Sequence, residues 1–116
     1  EVADLLVDVS QTGLASGLEF ELFKPKAEVP REFYAELPIN IKVTGDFHEF
    51  GDFVSGVAAL PRIVTLHNVN INRKGGKESS DLVMNLTAKT YRYLEDDERG
   101  GGKKKGKGKR KKGGRK

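Results

Sequence analysis

Ala35, Leu37, Ile39, Ile41 and Val43 alternate with Glu36, Pro38, Asn40, Lys42 and Thr44. A period of two held over ten residues predicts a strand with one dry face and one wet face. Pro38 has no N–H to give to a ladder. The strand is therefore expected at a sheet edge, or with Pro38 turned away from its neighbour. Before it, Leu18, Phe20 and Leu22 alternate with Glu19 and Glu21 until Phe23 breaks the pattern, and Lys24 to Phe33 reads as a loop punctuated by Pro25 and Pro30. After it, Val64 with Leu66 and Val69 with Ile71 are two apolar pairs offset by one residue, which predicts a strand bulged near His67-Asn68. A last strand places Leu82, Met84, Leu86 and Ala88 on one face, with Val83, Asn85, Thr87, Lys89, Tyr91 and Tyr93 on the other. Arg73 to Lys77 is the hairpin loop before it.

Two segments have helical period instead. Val2, Leu5, Leu6 and Val9 recur at helical spacing, with Gly13 as an expected stop and Gly17 allowing the turn that follows. Asp46 followed by Glu49 reads as a capping box. It opens a second helix with the apolar stripe Phe47, Phe50, Phe53, Val54, Val57 and Leu60, closed by Pro61. The order α-β-β-α-β-β repeats one helix-strand-strand unit twice. It predicts an α+β two-layer sandwich: a four-stranded antiparallel sheet with two helices on one face, a permuted ferredoxin-like arrangement. Leu37, Ile39, Ile41, Phe50, Phe53, Leu66 and Leu86 are the expected core.

Charge changes this picture at one end only. The 116 residues carry 21 Lys/Arg and 17 Asp/Glu, for a net charge of +4. Residues 100–116, GGGKKKGKGKRKKGGRK, hold ten of the basic residues and seven glycines. The rest of the chain keeps 11 basic against 17 acidic residues, a net of −6. Three regions are expected: a folded core over 1–94, an acidic hinge over 95–99, and a disordered tail over 100–116 with nothing apolar to bury. Lys103, Lys104, Lys105, Arg110, Lys111 and Lys112 are the tail residues expected to meet a polyanion, nucleic acid or anionic lipid, if the tail is the working part. The start at Glu1 rather than Met reads as a fragment or a processed piece.

Candidate chemistry is sparse. The chain has no Cys and two His, which excludes thiolate metal sites and a Cys nucleophile. His48 beside a helix cap reads as a solvated surface residue. His67, at the expected bulge, has no Ser, Asp or second His in a recognisable arrangement. Asp4 with Asp8, and Glu49 with Asp52, are helix-spaced carboxylates that read as solvated faces. No cofactor and no enzymatic activity are expected. Two features exceed what a core needs. Gly51, Ser55, Ala58 and Ala59 form a small-residue stripe on the second helix, suited to packing on the first helix or to the close approach of another chain. Tyr91 and Tyr93 lie on the sheet face opposite the core and read as a contact surface.

Gln11-Thr12-Gly13-Leu14, GLEFELFKP at 17–25, VPREFYAELPINI at 29–41, FGDFVSGVAALPRIVTLHN at 50–68 and LTAKTYRYL at 86–94 resemble, densely and in order, the PilO family of type IV pilus assembly proteins. The resemblance covers residues 1 to 95. It implies the C-terminal periplasmic domain of an inner-membrane protein, with a membrane helix and a coiled-coil stretch upstream, and a ferredoxin-like core of two α-β-β repeats. It carries over no catalytic residue. The implied role is structural: pairing with a PilN-like protein or with itself, binding a PilP-like lipoprotein, and linking the inner-membrane platform to the outer-membrane secretin. The tail has no counterpart in the resemblance.

Overall fold

The apolar face of the longest alternating segment organises the sheet. In the computed structural model, which describes residues 2–75 and 81–103, that segment is β3 (Tyr34–Gly45). Its inward residues Ala35, Leu37, Ile39, Ile41 and Val43 are all buried. The other elements in chain order are α1 (Val2–Ala15), β1 (Glu19–Pro25), β2 (Val29–Pro30), α2 (Phe47–Ala58), β4 (Val64–Arg73), β5 (Leu82–Tyr93) and α3 (Asp96–Lys103). The strand order is β1-β3-β5-β4, with the short β2 also paired to β3. β1 and β2 are antiparallel to β3, and β4 is antiparallel to β5. This is the strand order of a ferredoxin-like sheet whose first strand has been moved to the end.

β3 is therefore a central strand, not an edge. Pro38 is tolerated there by a gap in the pairing. β1 ends opposite Ile39, and β2 begins opposite Glu36. The Pro38 carbonyl accepts from the Lys26 N–H at 2.8 Å, so the side on which its missing N–H would lie is this gap.

Contacts divide the chain into two compact units. The first comprises Glu1–Lys26 and Pro38–Thr90. Here α1 packs on α2 and β1. Leu5 and Val9 of α1 and Phe50, Phe53 and Val57 of α2 are buried along with Leu18, Ile39, Ile41, Val43, Met84, Leu86 and Ala88. Phe20 stands edge-on to both Phe23 and Phe53, with centroids at 5.6 and 6.3 Å. The capping box forms at α2: the Asp46 carboxylate accepts from the Glu49 N–H, and the Glu49 carboxylate accepts from the Asp46 N–H. Buried Thr90 donates to the Ile63 carbonyl, so its hydroxyl is satisfied.

Four local expectations need correction in this unit. α1 runs through Gly13 and ends with Gly17 at φ +90°, where the Leu18 N–H bonds the Gly13 carbonyl and the Gly17 N–H bonds the Leu14 carbonyl. That is a Schellman end, and glycine is its natural occupant. Gly13 instead makes room for Phe20, whose ring would lie 2.4 Å from an added Cβ. A register shift between Phe20 and Leu22 turns Leu22 outward to 43% exposure and brings Phe23 in. Phe47 and Val54, expected in the inward stripe of α2, are exposed. On β4 the register shifts between His67 and Asn70, with Asn68 at φ 57°, so the bulge lies at the expected place. The extra residue leaves Val69 exposed, while Leu66 on this edge strand is only half-buried.

The second unit comprises Ala27–Leu37 and the chain from Tyr91 onward. Ala35, Leu37 and Leu94 are buried, and the Leu94 N–H bonds the Phe33 carbonyl at 3.0 Å. Residues 96–99, expected within a hinge, open α3. Their charges fit a helix start: Asp96, Asp97 and Glu98 occupy the positive end of the helix dipole. The Glu98 carboxylate reaches back to the Glu95 N–H, and the Arg99 N–H closes the first turn on the Glu95 carbonyl. Residues 100–103 of the expected tail continue this helix, and 104–116 lie outside the described residues.

Ile41 is 2% exposed, so Ile41→Ala should cost about 2–5 kcal/mol in a denaturant titration. Lys42→Ala, one step along the strand on its wetter face, should change stability by no more than about 0.5 kcal/mol. Equal sensitivity at both positions would contradict a sheet with one dry face.

Candidate functional site

The titratable side chains are largely occupied by structural pairing. His48 meets Asp52 one turn along α2 at 3.4 Å, both well exposed. His67 shares a 2.7 Å hydrogen bond with Thr65, two residues back along the strand, just before the bulge. Asp8 is paired with Arg62 at 3.0 Å, which ties α1 to the segment after α2. Glu49 is used in the capping box. Glu21 accepts from Lys74 and from Thr44, and the lysine, more than the hydroxyl, holds its carboxyl below the usual carboxylate range. Among the described residues no three His, Asp or Glu side chains group closely enough to hold a metal ion.

The second unit has its own ionic network. The Arg92 guanidinium grips the Glu28 carboxylate at 2.8 and 3.1 Å and the Glu98 carboxylate at 3.1 and 3.3 Å. One side chain of β5 thereby links the loop before β2 to the first turn of α3. Hydrogen bonding to Arg92 lowers both carboxyls from their ordinary value, and the two carboxylates raise the guanidinium further still. Arg99 reaches Asp96, and its guanidinium lies 5.5 Å from the centre of the Phe33 ring. Tyr34 and Tyr91 meet edge-on at 5.7 Å. Tyr93, two residues on, is 86% exposed, and Phe33 is 53% exposed.

The small-residue stripe of α2 is open. A Cβ added at Gly51 would meet nothing within 4 Å. Ser55, Ala58 and Ala59 are exposed as well. The approach of α1 takes place elsewhere on the helix, at Gly56, where an added Cβ would come within 2.6 Å of Thr12 Cγ2. At 100° per residue, Phe47, Gly51, Val54 and Ala58 fall within an arc of about 60° centred nearly half a turn from Gly56. Of these, Phe47 is 66% exposed. Gly51 and Ala58 of the stripe thus lie on the flank of α2 that faces away from the Gly56 contact with α1, with Phe47 and Val54 beside them. α1 also turns Val7 and Leu14 outward. Their seven-residue spacing was the signal for this second stripe, hidden beside the stronger Leu5–Val9 face.

The family model described as the type IVa pilus alignment subcomplex PilO C-terminal domain matches residues 1–95. The chain belongs to the PilO family. It is 54% identical over 93 residues to the type IV pilus inner membrane component PilO of Pseudomonas aeruginosa, which covers 80% of this chain. The chain spans 45% of that relative's length. The crystal structure of the type 4 fimbrial biogenesis protein PilO from the same organism matches at a TM-score of 0.76 and 53% identity, over 81% of this chain and 70% of that one. The core region of Pseudomonas aeruginosa PilO matches at 0.71 and 52% identity, over 78% of this chain and 93% of that one. A core domain from Akkermansia muciniphila matches at 0.63 over 75% of this chain and 54% of that one; at 11% identity it shares the fold alone.

The Arg92 network is expected to give the second unit an acid-sensitive contribution to stability. Glu28 and Glu98 ionise more readily folded than unfolded, so their contribution is present above the ordinary value of 4.5 and is lost as pH falls through their lowered folded values. Arg92→Gln should therefore flatten the dependence of the thermal midpoint on pH between about 5 and 3. A variant that loses stability with acid as steeply as the parent would place the acid-sensitive groups elsewhere.

Proposed function

We propose that this domain is a non-catalytic scaffold of the type IV pilus machinery, on the periplasmic side of the inner membrane. In this reading it pairs with a PilN-like partner of similar fold, or with a second copy of itself, and meets a PilP-like lipoprotein. The complex links the inner-membrane platform to the outer-membrane secretin. The observation that carries the reading is the open flank of α2. Mid-helix glycine costs about 1 kcal/mol relative to alanine. At Gly51 no contact among the described residues requires that cost, because a Cβ there would meet nothing within 4 Å. A close-approaching helix from another chain gives the residue a use. The relatives' description as pilus components, and the use of the titratable groups in caps and ion pairs, favour a scaffold over an enzyme. Tyr93, with Tyr91 beside it, is the second nominated contact; exposed tyrosines on rigid strands are favoured anchors at interfaces.

Gly51→Ala should raise the stability of the isolated domain by about 0.5–1 kcal/mol, as a helix-propensity gain in open space. Ala58→Trp, in the same stripe, should leave the fold intact by circular dichroism. It should weaken association with the matching PilN-like periplasmic domain about tenfold to a hundredfold, a loss of about 1–3 kcal/mol. Tyr93→Ala should act in the same direction. If Ala58→Trp and Tyr93→Ala both fold and bind like the parent in a calorimetric titration, neither patch is the interface.

A further inference from the structure

We infer that the outer edge of β4 pairs antiparallel with the same edge of a second copy of this chain, over residues 63–67 and about a two-fold axis at Thr65. The inference deepens the second-copy arm of the scaffold reading above and places it on a surface other than the α2 flank. β4 ends the sheet on one side as β1 does on the other, and among the described residues no strand pairs its outer side. The two edges are built differently. β1 carries Glu19, Glu21, Lys24 and Pro25 within seven residues, the kind of charges and proline that keep a foreign strand away. β4 has no Asp, Glu, Lys or Pro, and only Arg73 at its far end. The bulge between His67 and Asn70 disrupts the second half of this edge. Ahead of it, Val64 to His67 pair with β5 in unbroken register, and the run from Ile63 to His67 holds no Asp, Glu, Lys or Arg.

What fits this edge is the edge itself. Antiparallel partners share a sheet face, so two like strands related by a two-fold axis must set one residue opposite its own copy. An axis at Thr65 uses the whole run between Arg62, which is held by Asp8, and the bulge. An axis at Val64 would draw Arg62 into the pairing, and one at Leu66 would draw in Asn68 at φ 57°. With the axis at Thr65, Thr65 meets Thr65, Val64 meets Leu66, and Ile63 meets His67. Val64 and Leu66 are half-buried and share the face of their buried β5 partners Thr90 and Ala88. Two copies would therefore join four apolar side chains into one row across the seam. Ile63, 69% exposed in the single chain, gains a neighbour. No charge meets a like charge. This symmetric match favours a second copy over an unrelated strand.

Sedimentation equilibrium of the full 116-residue chain at about 0.15 M salt tests the inference. The parent should show a concentration-dependent monomer–dimer equilibrium. Thr65 is exposed, so Thr65→Lys and Thr65→Glu should each keep the parent's circular dichroism spectrum. Each alone should weaken self-association more than about tenfold, because like charges then stand opposite one another. An equimolar mixture of the two should dimerise again. The chain has no Cys, so Thr65→Cys carries a single thiol. Mild oxidation should link it into a dimer, while Asn72→Cys, beyond the bulge, should stay monomeric. A parent that is monomeric throughout, Thr65→Lys that associates like the parent, a mixture that stays monomeric, or equal crosslinking at residues 65 and 72 overturns the inference. Pairing with the PilN-like domain is measured on the same preparations. Thr65→Lys should leave that pairing intact, and Ala58→Trp should leave self-association intact, so the β4 edge and the α2 flank fail independently. Loss of the PilN-like pairing in Thr65→Lys would make that protein the occupant of the edge and overturn the choice of a second copy.

Discussion

Burial of one face of β3 is the constraint from which the rest of the fold follows. Ile39, Ile41 and Val43 are almost fully excluded from water. Only a sheet with neighbours on both sides and helices above can achieve that for a strand of this length. A one-residue slip would exchange Ile39 and Ile41 for Asn40 and Lys42, so the register is not negotiable. The placement of Pro38 follows from the same requirement. A central strand that must keep its alternation unbroken through residue 38 can accept a proline only where pairing lapses, and β1 and β2 divide their contact with β3 at that point. The loop that separates β1 from β2 is thus the counterpart of a proline in the middle of the strand it pairs with.

Most of the fold was legible because its signals are periodic. The capping box at Asp46 and Glu49 and the offset between Leu66 and Val69 each predicted a local feature at the residue where the structure has it. The misreadings share one physical origin. Leu22 and Phe23 are both apolar, and a register shift chooses between them; alternation alone marked the break without saying which side of it faces the core. Gly13 and Gly17 are both plausible helix stops. The ring of Phe20, distant in sequence logic but adjacent in space, decides that Gly13 is a packing glycine. At residues 96–99 four charges in a row read as a solvated hinge. Their order, acids first and Arg99 after, is also that of a helix start, and Arg92 supplies the partner that four isolated charges lack.

The exposed apolar surfaces were harder to read than the core, for a reason intrinsic to amphipathic helices. On α2 the residues at 47, 50, 53, 54 and 57 are all large and apolar, and helical spacing assigns them to one broad stripe. Packing splits that stripe. Phe50, Phe53 and Val57 enter the core, while Phe47 and Val54 are left on the flank beside Gly51 and Ala58. Tyr91 and Tyr93 differ in the same way: edge-on contact with Tyr34 half-covers the first and leaves the second in water. Sequence distinguishes apolar from polar positions well. It does not distinguish apolar surface that its own chain covers from apolar surface that its own chain leaves exposed.

That distinction gives the glycines their meaning. Gly56 and Gly51 lie five residues apart on one helix and carry the same penalty in helix propensity. At Gly56 the penalty is offset inside the chain, because Thr12 occupies the space that a side chain would take. At Gly51 nothing among the described residues offsets it. Flanking apolar residues left in water add a second unfavourable contribution of the same kind, since Phe47 and Val54 each forgo burial on that flank. On the proposed scaffold reading, a surface that is destabilising both in its backbone and in its exposed side chains, on a helix otherwise well capped and well packed, is half of a contact. In that reading the free domain bears the cost of keeping that flank narrow and apolar, and a bound state would recover it. Stability and association should therefore move in opposite directions when the flank is filled.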